Sequence, residues 1–171
     1  SYFKYRENGE DDGGTWGIDN VHTTDGSIGI GYSTNPRVET PPASKLIVTN
    51  STIHNAAQNG LHVEHAITVE VRDSSFTQDD DEFHTNVFIG NQTKYATLEN
   101  VTVIGEDLTF QQASNLIDGR VIDSTVITLN PNTDQAIENA THVINTYVET
   151  AGAIAINADH VIDSTIARFG E

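Results

Sequence analysis

A chain of 171 residues with 25 acidic and 8 basic side chains carries a formal net charge of −17. That balance excludes nucleic acid as a partner, because a phosphate footprint needs a basic face. Cys and Met are absent, which excludes disulfides, and no apolar run is long enough to span a bilayer as a helix, so membrane insertion is not expected.

The length fits one domain. Residues 1–14 read as an N-terminal cap or acidic loop: an aromatic start, Tyr2-Phe3-Lys4-Tyr5, and then Glu7 to Gly14, rich in turn residues. Asp11 and Asp12 precede two glycines and could hold calcium, although short acidic glycine loops usually do not. Trp16 follows. It closes the end of a core or stacks on a sugar, since an aromatic face suits both uses.

From residue 15 to 171 one pattern returns: apolar, any, Asn or Asp, two small or polar residues, apolar. It centres on Asn20, Asn50, Asp73, Asn100, Asp123, Asn145 and Asp163, at intervals of 30, 23, 27, 23, 22 and 18 residues. Such a period is the mark of a solenoid. Two positions before the centre stand Ile18, Val48, Val71, Leu98, Val121, Val143 and Val161. Three positions after it stand Thr23, Ile53, Phe76, Val103, Val126, Val148 and Ile166. Short β-branched segments between turn residues predict strands, and stacking turns each apolar column into a buried ladder. Asn and Asp tolerate a left-handed bend, so the centre is a corner, and Asn/Asp junctions between stacked corners can hydrogen-bond. A third strand is predicted in most repeats, at 28–31, 61–63, 86–89, 115–117, 136–138 and 154–156.

These features resemble the right-handed parallel β-helix of the pectate-lyase-like superfamily, over roughly residues 14 to 171. The fold class expected is all-β, a solenoid of about seven coils with an Asn/Asp corner ladder. Acidic residues spread along the whole chain suggest a surface adapted to high salt, where repulsion is screened. The source expected is a haloarchaeon or a virus of such a host; the alternative is an ordinary acidic secreted β-protein.

Residues 32–44 hold three of the four prolines and form the longest excursion. In the next coil, alternation sends Leu61 and Val63 inward and His62 and Glu64 outward. The loop 78–84 then gathers Asp79, Asp80, Asp81, Glu82 and His84, the densest ionisable cluster in the chain. It admits three functional readings beside the plain one of a solvated acidic loop. Asp79, Asp81 and Glu82 are candidate metal ligands, with calcium the cation they suit; otherwise no cofactor is expected. Asp79, Asp80, Asp81, Glu64, His62 and His84 are candidates for acid/base work on a glycosidic bond. Or the loop binds a partner. His62, Glu64, Phe88 and Trp16 are the candidate binding residues.

The resemblance implies a substrate groove on the face of the third strand. It also implies what an enzyme of that superfamily would carry: aspartates on calcium with a basic Arg or Lys, or three clustered aspartates with Gly-His-Gly and Arg-Ile-Lys. Asp79-Asp80-Asp81 matches the acidic part alone, and Arg72 and Arg120 sit near the corners instead. The variable corners 104–114 and 128–135 are expected on the same side as the acidic loop, walling a groove about 15 Å tall. His142 and His160 share a column and should stack. Of four sequons, at Asn50, Asn91, Asn100 and Asn139, the second and fourth look available. The last coil stops just after its second strand, so that end is expected to continue in a longer protein or to dock on a partner.

The function expected is therefore a non-enzymatic β-helix, extracellular, on a cell surface or on a virion as part of a fibre or spike. Its loops would meet a polysaccharide or glycan, or neighbouring protein subunits. The alternative is a polysaccharide lyase or glycoside hydrolase with its groove at the 79–84 loop.

Overall fold

The computed structural model describes residues 2–6, 15–26, 28–34, 45–64, 66–79, 85–90, 93–111, 116–132, 135–152 and 154–168. The protein is all-β: no helix occurs among these residues, and their strands join one strongly curled sheet in which every pairing is parallel.

Three ladders run side by side. The first holds β2 (Thr15–Asp19), β5 (Lys45–Thr49), the start of β8 (Thr68–Thr77) and of β10 (Tyr95–Gly105), β12 (Asp118–Ile122), and the ends of β14 (Gln135–Ile144) and β16 (Ile154–Ile162). The second holds β3 (His22–Thr24), β6 (Thr52–His54), the ends of β8 and β10, β13 (Thr125–Thr128), β15 (Tyr147–Thr150) and β17 (Thr165–Arg168). The third holds β1 (Tyr2–Arg6), β4 (Ile28–Thr34), β7 (Asn59–Val63), β9 (Val87–Ile89), β11 (Leu108–Phe110) and the starts of β14 and β16.

The apolar columns of the sequence are the core. Val48, Val71, Leu98, Val121 and Val143 are fully buried, as are Ile53, Phe76, Val103, Val126 and Val148. Leu61, Val87, Leu108 and Ile137 line the third wall in register. Burying each such side chain stabilises by about 1.5–3 kcal/mol.

The corner reading holds at all seven centres. Asn20, Asn50, Asp73, Asn100, Asp123, Asn145 and Asp163 have φ between 46° and 55°, the left-handed region that Asn and Asp reach most cheaply after glycine. Asn100 Nδ2 donates to Asp73 Oδ1 at 2.6 Å, and Asn145 Nδ2 to Asp123 Oδ1 at 2.6 Å. Asn50 turns instead to Asp19 Oδ1, at 2.8 Å, because the corner beneath it is the amide Asn20. Beside the corners runs a hydroxyl column. The amides of Val21, Ser51, Val101, Ser124 and Thr146 donate to the hydroxyls of Ser51, Ser74, Ser124, Thr146 and Ser164, each one rung further on. Each of those hydroxyls donates in turn to the carbonyl two residues before it. Backbone groups at the bend are thereby satisfied without a strand partner.

Two expectations need correction. Residues 116 and 117 lie outside any strand, and 115 outside the described residues; the third strand of that repeat is β11. Gly105, with φ 108°, makes this possible by turning the chain at once after β10. A Cβ there would sit 2.7 Å from the Gln78 Cβ and 2.9 Å from its carbonyl oxygen, so no other residue fits. The stretch 104–114 is therefore not one open corner. Its first part is a tight turn at Gly105 that leads into β11, and residues 112–114 lie outside the described residues.

Asn139 is also not available as the sequon suggested. It occupies a bulge inside β14 with φ 58°, and its Nδ2 donates to the Phe110 carbonyl at 3.1 Å. A glycan on that nitrogen would break the contact.

Candidate functional site

The outer face of the third ladder concentrates the chemistry. Gly31, His62, Phe88, Thr109 and Glu138 fall in one register column. Leu61 and Val63, alternating with His62, are fully buried, so the pleat forces the imidazole outward. The His62 and Phe88 rings stack at 4.9 Å with planes 17° apart. His62 Nδ1 lies 3.1 Å from Asn59 Oδ1, and Nε2 lies 3.3 Å from Glu64 Oε1. Both partners are acceptors, so a neutral ring has a hydrogen for only one of them. Asn59 Nδ2 donates onward to the Thr85 carbonyl. Gln58, Asn59, His62, Thr85 and Phe88 enclose an open cavity of 330 Å³.

One rung along, Thr109 Oγ1 donates to Asp107 Oδ2 at 2.6 Å and stands 3.4 Å from Glu138 Oε2. Burial raises the Asp107 carboxyl above its ordinary value; hydrogen bonds from Thr109, its own backbone and Thr85 pull the other way. Thr85 thus belongs to both groups and joins the cavity to the carboxylate pair. One hydroxyl proton serves two carboxyl groups, so protonating Asp107 frees Thr109 to donate to Glu138.

Of the residues singled out in the sequence, His62, Glu64 and Phe88 come together here. Trp16 does not: it stands on β2 in the first ladder, packed against the core. Asp79 lies at the corner after β8. Its amide donates to Asn55 Oδ1 at 3.0 Å, its Oδ2 accepts from Asn55 Nδ2 at 3.1 Å, and His54 Nε2 is 3.3 Å away. With Asp25 and Asn55 at φ 55° and 51°, this is a second, shorter Asx corner that the sequence reading missed. Asp80, Asp81, Glu82 and His84 lie outside the described residues.

Asp107, Thr109, Glu138, Asn59 and Thr85 were missed as well. The available signal was Leu108-Thr109-Phe110, a minimal apolar–polar–apolar alternation that begins three residues after Gly105.

The remaining titratable groups sit elsewhere. His142 and His160 stack at 4.9 Å on the first ladder. His142 Nδ1 is 3.4 Å from Asp118 Oδ1 but lacks hydrogen-bond geometry. Arg120 grips Asp118 at 2.7 Å and, with His142, holds its carboxyl below the ordinary range. Arg72 pairs with Glu70 and Glu99 on the same ladder. Among the described residues, no three His, Asp or Glu side chains are placed to share a metal ion. No family model, no curated protein and no solved structure matches the chain.

Proposed function

We propose that the chain is a right-handed parallel β-helix of seven coils in the manner of the pectate-lyase-like superfamily, from a halophilic source. Its work is glycan binding at a cell surface or virion, on the outer face of the third ladder. The observation that carries this reading is the stacked His62–Phe88 pair at the edge of an open cavity rimmed by the Gln58 and Asn59 side chains and Thr85. A flat aromatic face beside amides and hydroxyls suits a sugar ring, with its apolar faces and its rim of hydroxyls.

The test is a titration of ¹⁵N-labelled protein with neutral and acidic oligosaccharides at about 1 M salt, where the screening length is about 3 Å. Shifts should centre on 58–62, 85 and 88, and Phe88→Ala should weaken binding about tenfold, a loss of about 1.4 kcal/mol. If no sugar shifts this face while the protein stays folded, the reading is wrong.

A second reading, glycoside hydrolysis, draws on the Asp107–Thr109–Glu138 group. The two carboxyl oxygens contacting Thr109 are within about 6 Å of each other, and retaining glycosidases hold their carboxyl pair about 5–5.5 Å apart. A raised Asp107 is the acid such a mechanism needs. Hydrolysis of a bound oligosaccharide that Asp107→Asn and Glu138→Gln each abolish, while binding persists, would establish it.

A further inference from the structure

The outer face of the third ladder is rich in acceptors and short of donors. Thr109 Oγ1 gives its single hydrogen to Asp107 Oδ2 at 2.6 Å and stands 3.4 Å from Glu138 Oε2. Asp107 also receives hydrogen bonds from its own backbone and from Thr85. The Glu138 carboxylate has only the shared hydroxyl among the described residues. Asn157, on the strand that follows in the ladder, commits its Nδ2 to Asn139 Oδ1 at 3.2 Å. Beside Phe88 in the same column, the His62 ring lies between two more acceptors, Asn59 Oδ1 at 3.1 Å and Glu64 Oε1 at 3.3 Å. The lysines and arginines that form ion pairs among the described residues stand on the first ladder instead. Lys45 and Arg72 meet Glu70, Arg72 also meets Glu99, and Arg120 meets Asp118.

A ligand that settles on this face displaces water from its oxygens. A carboxylate that loses water and gains no hydrogen is costly. A uronic acid would set carboxylate against carboxylate. A neutral sugar offers hydroxyls with one hydrogen each. An ammonium group offers three hydrogens and a positive charge, and charge-assisted hydrogen bonds are about twice as strong as neutral ones. Thr109 Oγ1, having donated to Asp107, still has lone pairs to accept from it. The spacing agrees. Phe88, Thr109 and Glu138 follow one another in a single column, so the aromatic ring and the carboxylate are two rungs apart, about 10 Å. A sugar stacked on the Phe88 and His62 rings leaves the next unit of its chain over Thr109 and Glu138.

Granting the glycan-binding reading, on which this rests, we infer that the ligand is an oligomer of amino sugars with free amino groups, one ring stacked on Phe88 and the ammonium of a neighbouring unit held by Glu138 and Thr109. The selection comes from contact and not from the net charge of −17. Diffuse attraction is lost at about 1 M salt, where the screening length is about 3 Å, while a hydrogen-bonded pair within that distance persists.

Glucosamine oligomers, their N-acetylated counterparts and oligogalacturonate, each titrated into ¹⁵N-labelled protein at about 1 M salt, test this. At about pH 6, below the range in which an α-amino group releases its proton, the free amines are charged. Glucosamine oligomers should bind about tenfold more tightly than the N-acetylated ones, and oligogalacturonate should be the weakest of the three. Glu138→Gln keeps an oxygen for the Thr109 contact and should bring that ratio close to one. Glu149→Gln removes the same charge from β15 of the second ladder and should leave the ratio unchanged. The ratio compares two ligands on one variant, so a change in folded fraction cancels. Equal affinity for the free and acetylated oligomers, a ratio that Glu138→Gln leaves unchanged, or one that Glu149→Gln lowers as far, overturns the amino-sugar assignment while glycan binding stands. If none of the three sugars shifts residues 58–62, 85 and 88, glycan binding itself falls and takes the assignment with it.

Discussion

Asp107, just before β11, and Asp118, at the start of β12, are both aspartates, yet their surroundings drive them in opposite directions. Burial raises the Asp107 carboxyl from 3.8, so the folded state holds its proton at pH values where the unfolded chain has released it. Stability from this group is present below pH 3.8 and is lost as pH rises through the raised folded value. Asp107→Asn, which keeps an oxygen for Thr109, should make the protein more stable at pH 7 and flatten the fall above pH 3.8. Urea midpoints measured across that range check it. Asp118 is lowered by hydrogen bonding to Arg120, by its charge and by His142. Its contribution is present above 3.8 and is lost as pH drops through the lowered folded value. The pair is largely solvated, so Arg120→Gln should barely move the midpoint in the same urea assay at pH 7. The corner residues were legible because Asn and Asp are the side chains that both enter the left-handed region and bond along the stack. Asp107 and Glu138 were not. Nothing in the composition near residue 107 distinguishes a carboxyl bridged by a threonine from one facing water, and the bridge exists only because rungs 29 residues apart meet.

At the scale of the strand, position in the stack decides what a side chain is worth. Leu98 is fully buried between rungs on both sides. Leu98→Ala should cost about 2–5 kcal/mol. Ile166 lies in the matching column of the second ladder but is half exposed on the last described rung, and Ile166→Ala should cost well under that range. Chemical denaturation of the two variants side by side measures the difference. The corners can be tested likewise. Asn100→Ala keeps a Cβ at a φ of 53° but removes the amide that favours this bend and bonds Asp73, and should cost about 1–2 kcal/mol, whereas Asn100→Gly, with no Cβ at that φ, should cost less, losing mainly the bond to Asp73. The first two ladders were legible because an Asx fixes their register and both flanks are aliphatic. The third was legible only where its strand carried β-branched residues at the spacing of its neighbours. β11 escaped because a tight turn at Gly105 brought it forward by several residues, and a three-residue alternation is too short to outweigh the expected interval.

For the molecule as a whole, the charge of −17 sits on a narrow stack whose core is mostly Val, Ile, Leu and Ala, with Phe76 and Phe110 its largest buried side chains. Self-repulsion destabilises such a body at low ionic strength. Its melting temperature should therefore rise steadily from about 0.01 M to about 1 M salt, as the screening length falls from about 30 Å to about 3 Å. A flat response would mean that the charges lie too far apart for their repulsion to destabilise the fold. The repeat made the parallel all-β architecture readable at this scale. Which face would carry chemistry was readable only in outline, because sheet periodicity says which side chains point out but not which outward columns share a cavity.

The hydroxyl column beside the corners has a consequence for measurement. Each of its amides is held by a hydroxyl from the rung beyond, so the guard of one amide is encoded some twenty residues further along the chain. Ser124 guards Val101 while its own amide is guarded by Thr146. In a hydrogen-exchange experiment, Ser124→Ala should therefore quicken exchange first at Val101. Protection at any corner amide becomes a report on its neighbour, and the column can be followed one amide at a time as the stack opens.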